Sequence, residues 1–321
     1  MKRILITGAS GFIGAVVARR ALQEGHETHL LLRPSHQCWR VEGISRDVQI
    51  HSAELENEAE VRRVLAEVRP EWVFHLAAYG AYSYQTGMDR MIATNFAGCV
   101  SLLDASVQAG AEVFLQTGSS SEYGWKDHPP DEAEFVDPNS HYAITKAAAT
   151  QYCRQVALAQ AIRAVTLRLY SIYGPYEEPT RLIPSLLLHG MRGMLPPLVS
   201  ASTARDFVYV DDAVEAMFVV ARAESIPKGA VYNVASGVQT TLGELVSVVR
   251  NLLGVTVEPQ WATMEQRSWD TNVWVGTAER IRREIGWSAR TGLESGLRQT
   301  LEWLERHPDL LRHYEASLFK G

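Results

Sequence analysis

The sequence predicts an α/β fold: a doubly wound parallel sheet with a smaller C-terminal lobe interleaved with it. Three observations carry this. The apolar run Arg3–Thr7 opens directly into a glycine turn and then a helical pattern. Short apolar runs and helical patterns alternate across the first two-thirds of the chain. The last third turns irregular and proline-rich, and no flexible linker sets it apart.

Taken in order, Arg3–Thr7 reads as a buried strand and Ile13–Gln23 as a helix stopped at Gly25. Thr28–Leu32 and Val48–Ser52 are the next strands. Glu58–Val68 is a helix with Asn57 as N-cap and Pro70 just past its end. Trp72–Ala77 is a fourth strand, Asp89–Ala109 a long helix and Glu112–Thr117 a fifth strand. His141–Ala159 is a second long helix and Arg163–Leu169 a sixth strand. After Pro175, Pro179, Pro184, Pro196, Pro197 and Pro227, shorter helices are expected near Leu242–Leu253, Ala278–Ile285 and Leu293–Glu305. This divides the chain into a sheet domain over 1–170, with sheet returns from later segments, and a smaller lobe mainly over 171–321.

Apolar residues make up 46% of the 321, enough for a sizeable core. The net charge of −6 and the lack of a Lys/Arg cluster argue against nucleic acid as partner. No run approaches the ~18–20 apolar residues that span a bilayer, and nothing resembles a leader peptide. The expectation is a cytoplasmic protein with no membrane partner. Cys38, Cys99 and Cys153 are too widely spaced for a zinc signature or a disulfide framework, so no metal is expected.

Gly8-Ala9-Ser10-Gly11-Phe12-Ile13-Gly14 lies where the first strand meets the first helix. Gly8 permits the turn, Gly11 lets backbone approach a pyrophosphate, and Gly14 lets helix and strand pack closely. The helix N-terminus offers N–H groups to phosphate oxygens. A plain tight turn is the competing reading, and the strand–turn–helix context disfavours it. At the end of the second strand an acid would bind a ribose 2′-hydroxyl; this chain has Arg33, followed by Ser35. A guanidinium suits a 2′-phosphate, so NADP(H) is favoured and NAD(H) remains the alternative. Stacking of Arg33 on adenine would suit either.

Tyr142 and Lys146 are four apart in a helical pattern and share one face. Free tyrosine titrates near about 10, and a neighbouring ammonium favours the phenolate. The chain has only Lys2, Lys126, Lys146, Lys228 and Lys320, which makes a lysine in this register informative. A surface helix pair is the plainer reading. Thr117-Gly118-Ser119-Ser120-Ser121-Glu122-Tyr123-Gly124 follows a strand end, where a serine can bond a reacting oxygen. A Ser/Gly turn is the plainer reading there.

The order of these motifs carries a resemblance. The glycine turn, His75-Leu76-Ala77-Ala78, Asn95, the serine-rich strand end, Tyr142/Lys146, Tyr173-Gly174-Pro175 and Arg205-Asp206-Phe207-Val208-Tyr209-Val210-Asp211-Asp212 together resemble the extended short-chain dehydrogenase/reductases. More narrowly they resemble the nucleotide-sugar epimerase/dehydratase/reductase family, through Ile285-Gly286-Trp287 near the end. The resemblance implies a Rossmann domain. It implies Tyr142 as general acid/base, Lys146 as its partner, and Ser119, with Ser120 beside it, as the catalytic hydroxyl. It implies a cofactor lined by Gly8, Ser10, Gly11, Phe12, Ile13, Leu76, Ala77, Ala78, Tyr142 and Lys146, with Glu54 and Leu55 near adenine. Asn95 would steady the central sheet. Arg205 would grip the diphosphate of a nucleotide-diphosphate sugar, with Arg267 as a second contact; surface salt bridges are the plainer reading for both. The two long helices would pair in a homodimer.

Departures bear on the reaction. Dehydratases of the family carry an acidic pair after the catalytic hydroxyl, where this chain has Ser120-Ser121. Glu122 comes one position late and is expected to point to the other side. Ser171 replaces the usual Asn before Tyr-Gly-Pro, which puts substrate contacts there in question. The loop Tyr79-Gly80-Ala81-Tyr82-Ser83-Tyr84-Gln85 is aromatic, and Tyr79 and Tyr84 are expected to face the sugar. These features favour an NADP-dependent reductase of a nucleotide-linked 4-keto-6-deoxyhexose. A nucleotide-sugar 4-epimerase with bound NAD(P) is the alternative, and a non-catalytic NADP-sensing protein the third reading.

Overall fold

The computed structural model describes residues 1–264 and 271–319. Strands β1 (Arg3–Thr7), β2 (Glu27–Leu32) and β3 (Gln49–Ser52) are joined through helix α1 (Phe12–Gln23) and, between β2 and β3, a longer loop. α1 buries Ala15, Val17, Ala18 and Ala21, small residues that let it lie close on the sheet. Helix α2 (Glu58–Val68) buries Val61, Val64, Leu65 and Val68, the i, i+3, i+4, i+7 stripe. Its N-cap is Asn57, which accepts the Glu60 N–H.

Strand β4 (Trp72–His75) stops two residues short of the sequence expectation, because Leu76 and Ala77 turn over the glycine loop. The expected long helix is three pieces: α3 (Met88–Met91), a π-helical stretch (Ile92–Ala97) and α4 (Gly98–Gln108). Such a bulge re-aims side chains, here those around Asn95. Strand β5 (Val113–Ser119) runs two residues past expectation and delivers Ser119 at its end; a 3₁₀ turn (Ser120–Tyr123) follows. Helix α5 (His141–Ala159), capped by Ser140, and strand β6 (Arg163–Leu169) match the sequence reading.

β7 (Ser171–Tyr173), α6 (Leu182–Gly190), β8 (Ala204–Tyr209), α7 (Val210–Arg222), β9 (Val231–Val234) and β10 (Gln239–Thr241) complete the middle of the chain. α8 (Leu242–Leu253), α9 (Glu279–Ile285), α10 (Leu293–Arg306) and α11 (Pro308–Leu318) end it.

The main sheet is seven-stranded and parallel in the order β3-β2-β1-β4-β5-β6-β9. The strand order reverses between β1 and β4, which places a crevice above their C-terminal ends. One apolar layer joins α1 and α7 to the sheet through Val17, Met217 and Phe218. The other joins α2, α4 and α5 through Val61, Leu102 and Ala149. A second sheet, β10-β8-β7, packs with α6, α8 and α10 around Tyr173, Tyr209, Leu245 and Leu297. No helix of the described residues is long and apolar enough to cross a membrane.

Candidate active site

The glycine turn is built as its spacing requires. Gly8 has φ +73°, and a Cβ there would fall 2.6 Å from the Ala77 backbone N. A Cβ on Gly14 would fall 2.3 Å from the Gly8 carbonyl oxygen. Gly11 donates to that same carbonyl at 2.9 Å and is the N-cap of α1, without a side-chain cap and with no acid in the first turn. Uncapped N–H groups at the start of a twelve-residue helix are a cradle for phosphate oxygens, so the turn fits a dinucleotide pyrophosphate. Ser10 lies in the same turn, and Phe12 and Ile13 open α1. Thr7 and His75 lie across from each other on paired strands and share a 2.7 Å hydrogen bond. Thr7 Oγ1 also receives the Ala77 N–H at 3.3 Å, fixing Leu76-Ala77-Ala78 beside the turn.

Arg33 lies exposed at the end of β2, and its guanidinium makes no ion pair among the described residues. Leu32 pairs in register with Ser52, so Arg33 and Ser35 share one edge of the crevice with the segment holding Glu54 and Leu55. Leu55 is buried against Gly98 of α4, while Glu54 is partly exposed.

Ser119 and Tyr142 come together from β5 and α5. The Ser119 hydroxyl accepts the Ser121 N–H at 3.2 Å and shares a 2.8 Å hydrogen bond with the Ser121 hydroxyl. It also acts on Tyr142, pulling the phenol down in pKa against burial and the nearby Glu122 charge; with these leading, Tyr142 stands at about 12. Lys146, one turn further along α5, is buried; burial lowers its pKa, while the Glu122 charge opposes that. Ser120 is buried in the 3₁₀ turn.

Glu122 points inward. It is completely buried, with Oε1 accepting the Ser119 N–H at 2.8 Å and Oε2 accepting Arg168 Nε at 3.0 Å.

Asn95 departs from its expected role. Its bonds run to the backbone N and O of Tyr79, both at 2.8 Å, and to Thr145 Oγ1 at 3.0 Å, not to a strand. It ties the aromatic loop to the helix of Tyr142 and Lys146. In that loop Tyr84 is 70% exposed and stacks on Tyr82, with centroids 5.5 Å apart. Tyr82 is the ring whose hydroxyl acts on Tyr142. Ser171 on β7 pairs with Phe207 on β8, the strand of Arg205. Arg205 Cζ lies 5.6 Å from the Trp274 ring centre. Arg267 lies outside the described residues.

Sequence reasoning missed three side chains. Arg181 precedes α6; its Nη1 donates to Ala81 O at 3.3 Å and its charge acts on Tyr142. Glu177 is buried with Oε2 unpartnered, and burial pushes its carboxyl up to about 8. Arg40, buried in the loop after β2, donates to Tyr176 O at 2.8 Å and Ser10 O at 3.3 Å, and pairs with Glu178 at 2.9 Å. It buckles that loop across the glycine turn onto the segment after Tyr173-Gly174-Pro175. For Arg181 and Glu177 the run Glu177-Glu178-Pro179-Thr180-Arg181, dense in charge within a proline-rich stretch, was the available signal; for Arg40 the sequence held none.

Comparison with known proteins follows the same outline. The model of the NAD dependent epimerase/dehydratase family matches residues 4–235. A UDP-glucose 4-epimerase of Mycolicibacterium smegmatis is 30% identical over 94% of this chain and 98% of its own. A dTDP-glucose 4,6-dehydratase of Salmonella typhimurium is 27% identical over 99% of this chain and 97% of its own. The crystal structure of dTDP-glucose 4,6-dehydratase from Bacillus anthracis in complex with NAD superposes with a TM-score of 0.86 at 25% identity, covering 98% of this chain and 100% of that one.

Proposed function

The chain belongs to the NAD-dependent epimerase/dehydratase family and is an enzyme of the extended short-chain dehydrogenase/reductase type, and from that premise we propose that it reduces a nucleotide-linked 4-keto-6-deoxyhexose with NADPH. The observation that carries the reading is the commitment of Glu122. Beside Ser119 the chain offers Ser120 and Ser121, and the next carboxylate is locked to Arg168 in the core. No acid is left at that turn to take a carbon-bound proton, as a dehydratase requires. Arg33, exposed where a ribose-binding acid would stand, supports NADP.

Gly8, Gly11, Leu76, Ala77 and Ala78 would hold the cofactor, with Arg33 and Ser35 to take a 2′-phosphate and Glu54 and Leu55 beside the adenine. When bound, its nicotinamide supplies the hydride. Tyr142 then gives its proton to the oxygen that becomes a hydroxyl, and Ser119 donates a hydrogen bond as charge develops there. Lys146, one turn along the same helix, would bond the cofactor ribose and favour transfer of the phenol proton. Tyr79, Tyr84 and Ser171 contact the sugar side, and Arg205 with Arg267 the diphosphate. The lobe from residue 171 onward carries most substrate contacts. A homodimer is expected through α4 and α5 and the segment before α4, where Ile92 and Ile144 are exposed.

The M. smegmatis likeness favours a second reading, a nucleotide-sugar 4-epimerase with retained NAD(P), built on the same residues. The two separate on cofactor turnover. The reductase consumes added NADPH in proportion to keto-sugar nucleotide. The epimerase interconverts hexose nucleotides without added cofactor.

A further inference from the structure

Glu122 and Arg168 form an ion pair with side chains 0% and 3% exposed. Removing two charges from water is costly before they attract each other, so the pair needs a shaped surround. The surrounding residues are shaped for the pair. Gly118 leaves room, since a Cβ there would fall 2.6 Å from Glu122 Oε1. The Arg168 guanidinium sits 4.4 Å over the Tyr123 ring, and the Tyr123 hydroxyl donates to Asn233 Oδ1 at 2.8 Å. The carboxylate end touches the reacting side: Glu122 accepts the Ser119 N–H, and with the Ser119 hydroxyl taking the Ser121 N–H the two close a capping box around the turn.

We propose that Glu122 is a positioning residue of the proton-transfer apparatus: it fixes the Ser119 backbone and, paired with Arg168, presents its carboxylate toward Tyr142 and Lys146. This rests on the reading of Ser119, Tyr142 and Lys146 as the catalytic set.

The sign of the effect follows from the neighbours. Tyr142 is faced by Ser119 and Glu122 from the β5 turn, Arg181 from the start of α6, Tyr82 from the loop after β4, and Lys146 on its own helix. Lys146 is faced by Glu122, by Cys99 from α4 and by Cys153 from α5. The Glu122 charge favours the ammonium of Lys146 and opposes the phenolate of Tyr142. It therefore keeps Tyr142 a proton donor, the state a reductase needs at the moment an alkoxide forms.

The test compares wild type with Glu122→Gln, which keeps an acceptor for the Ser119 N–H and removes the charge. Phenolate absorbance of the NADP-bound protein is followed against pH, with the matching Tyr142→Phe protein subtracted. The Tyr142 signal should begin about one pH unit lower in Glu122→Gln, and the alkaline limb of kcat for NADPH-dependent reduction should move down with it. If Glu122→Gln does not fold, Glu122→Gln/Arg168→Met, which leaves no buried charge unpaired, should show a shift in the same direction. An unmoved onset in the folded variant, with only stability or kcat lowered, overturns the proposal and leaves Glu122 a structural residue. Full activity of Tyr142→Phe would instead remove the catalytic reading on which the proposal rests.

Discussion

Asn95 donates to Thr145 Oγ1 at 3.0 Å inside the core, and through that bond the aromatic loop after β4 is tied to the helix of Tyr142 and Lys146. The same amide satisfies both backbone groups of Tyr79. Asn95→Ala strands the N–H and C=O of Tyr79 together and leaves the Thr145 hydroxyl with its bond to Tyr142 O alone. An orphaned buried group costs about 1–3 kcal/mol, so the variant should lose roughly 2–4 kcal/mol in urea unfolding. KM for the sugar nucleotide should rise as Tyr79 loosens.

Arg33 sets a cofactor prediction. A charge-assisted, bidentate contact to a 2′-phosphate is worth about 1.5–3 kcal/mol. Arg33→Ala should therefore raise the Kd for NADPH roughly 10- to 100-fold while leaving that for NADH within about twofold. Isothermal titration of both cofactors checks this. Equal loss for the two would assign Arg33 to adenine stacking.

Glu177 makes stability fall with pH. An unfolded glutamate releases its proton near 4.5, whereas burial holds this one to about 8. Between those values the folded chain binds the proton and the unfolded chain does not, so rising pH disfavours folding across that window. Glu177→Gln removes the penalty. Its Tm should exceed that of wild type at pH 8 and approach it at pH 5.

How much of this was legible in the sequence depended on how local the cause was. α2, α5 and β6 declared themselves through apolar period, caps and flanking breakers, all within a few residues. α7 did not. Eight of its thirteen residues are buried, so it shows little polar face, and it continues directly from β8. The short strands β7, β8, β9 and β10 gain their identity from pairing with distant segments, and three to six residues give too little alternation to read. Cys99 and Cys153 look unrelated in sequence yet sit 3.8 Å apart where α4 meets α5. Within the site, the glycine turn, Ser119, Tyr142 and Lys146 announce themselves by spacing. Arg40 and Arg181 do not, because their partners are 136 and 100 residues away.

The most direct test of the proposed reaction is isotopic. The enzyme is given NADPH deuterated at the transferable C4 position and a nucleotide-linked 4-keto-6-deoxyhexose, and the product is read by mass spectrometry and NMR. One deuterium at the former carbonyl carbon, with one NADP formed per product, is the predicted result. Product without deuterium, or an epimerised hexose formed while added NADPH stays unconsumed, would contradict it.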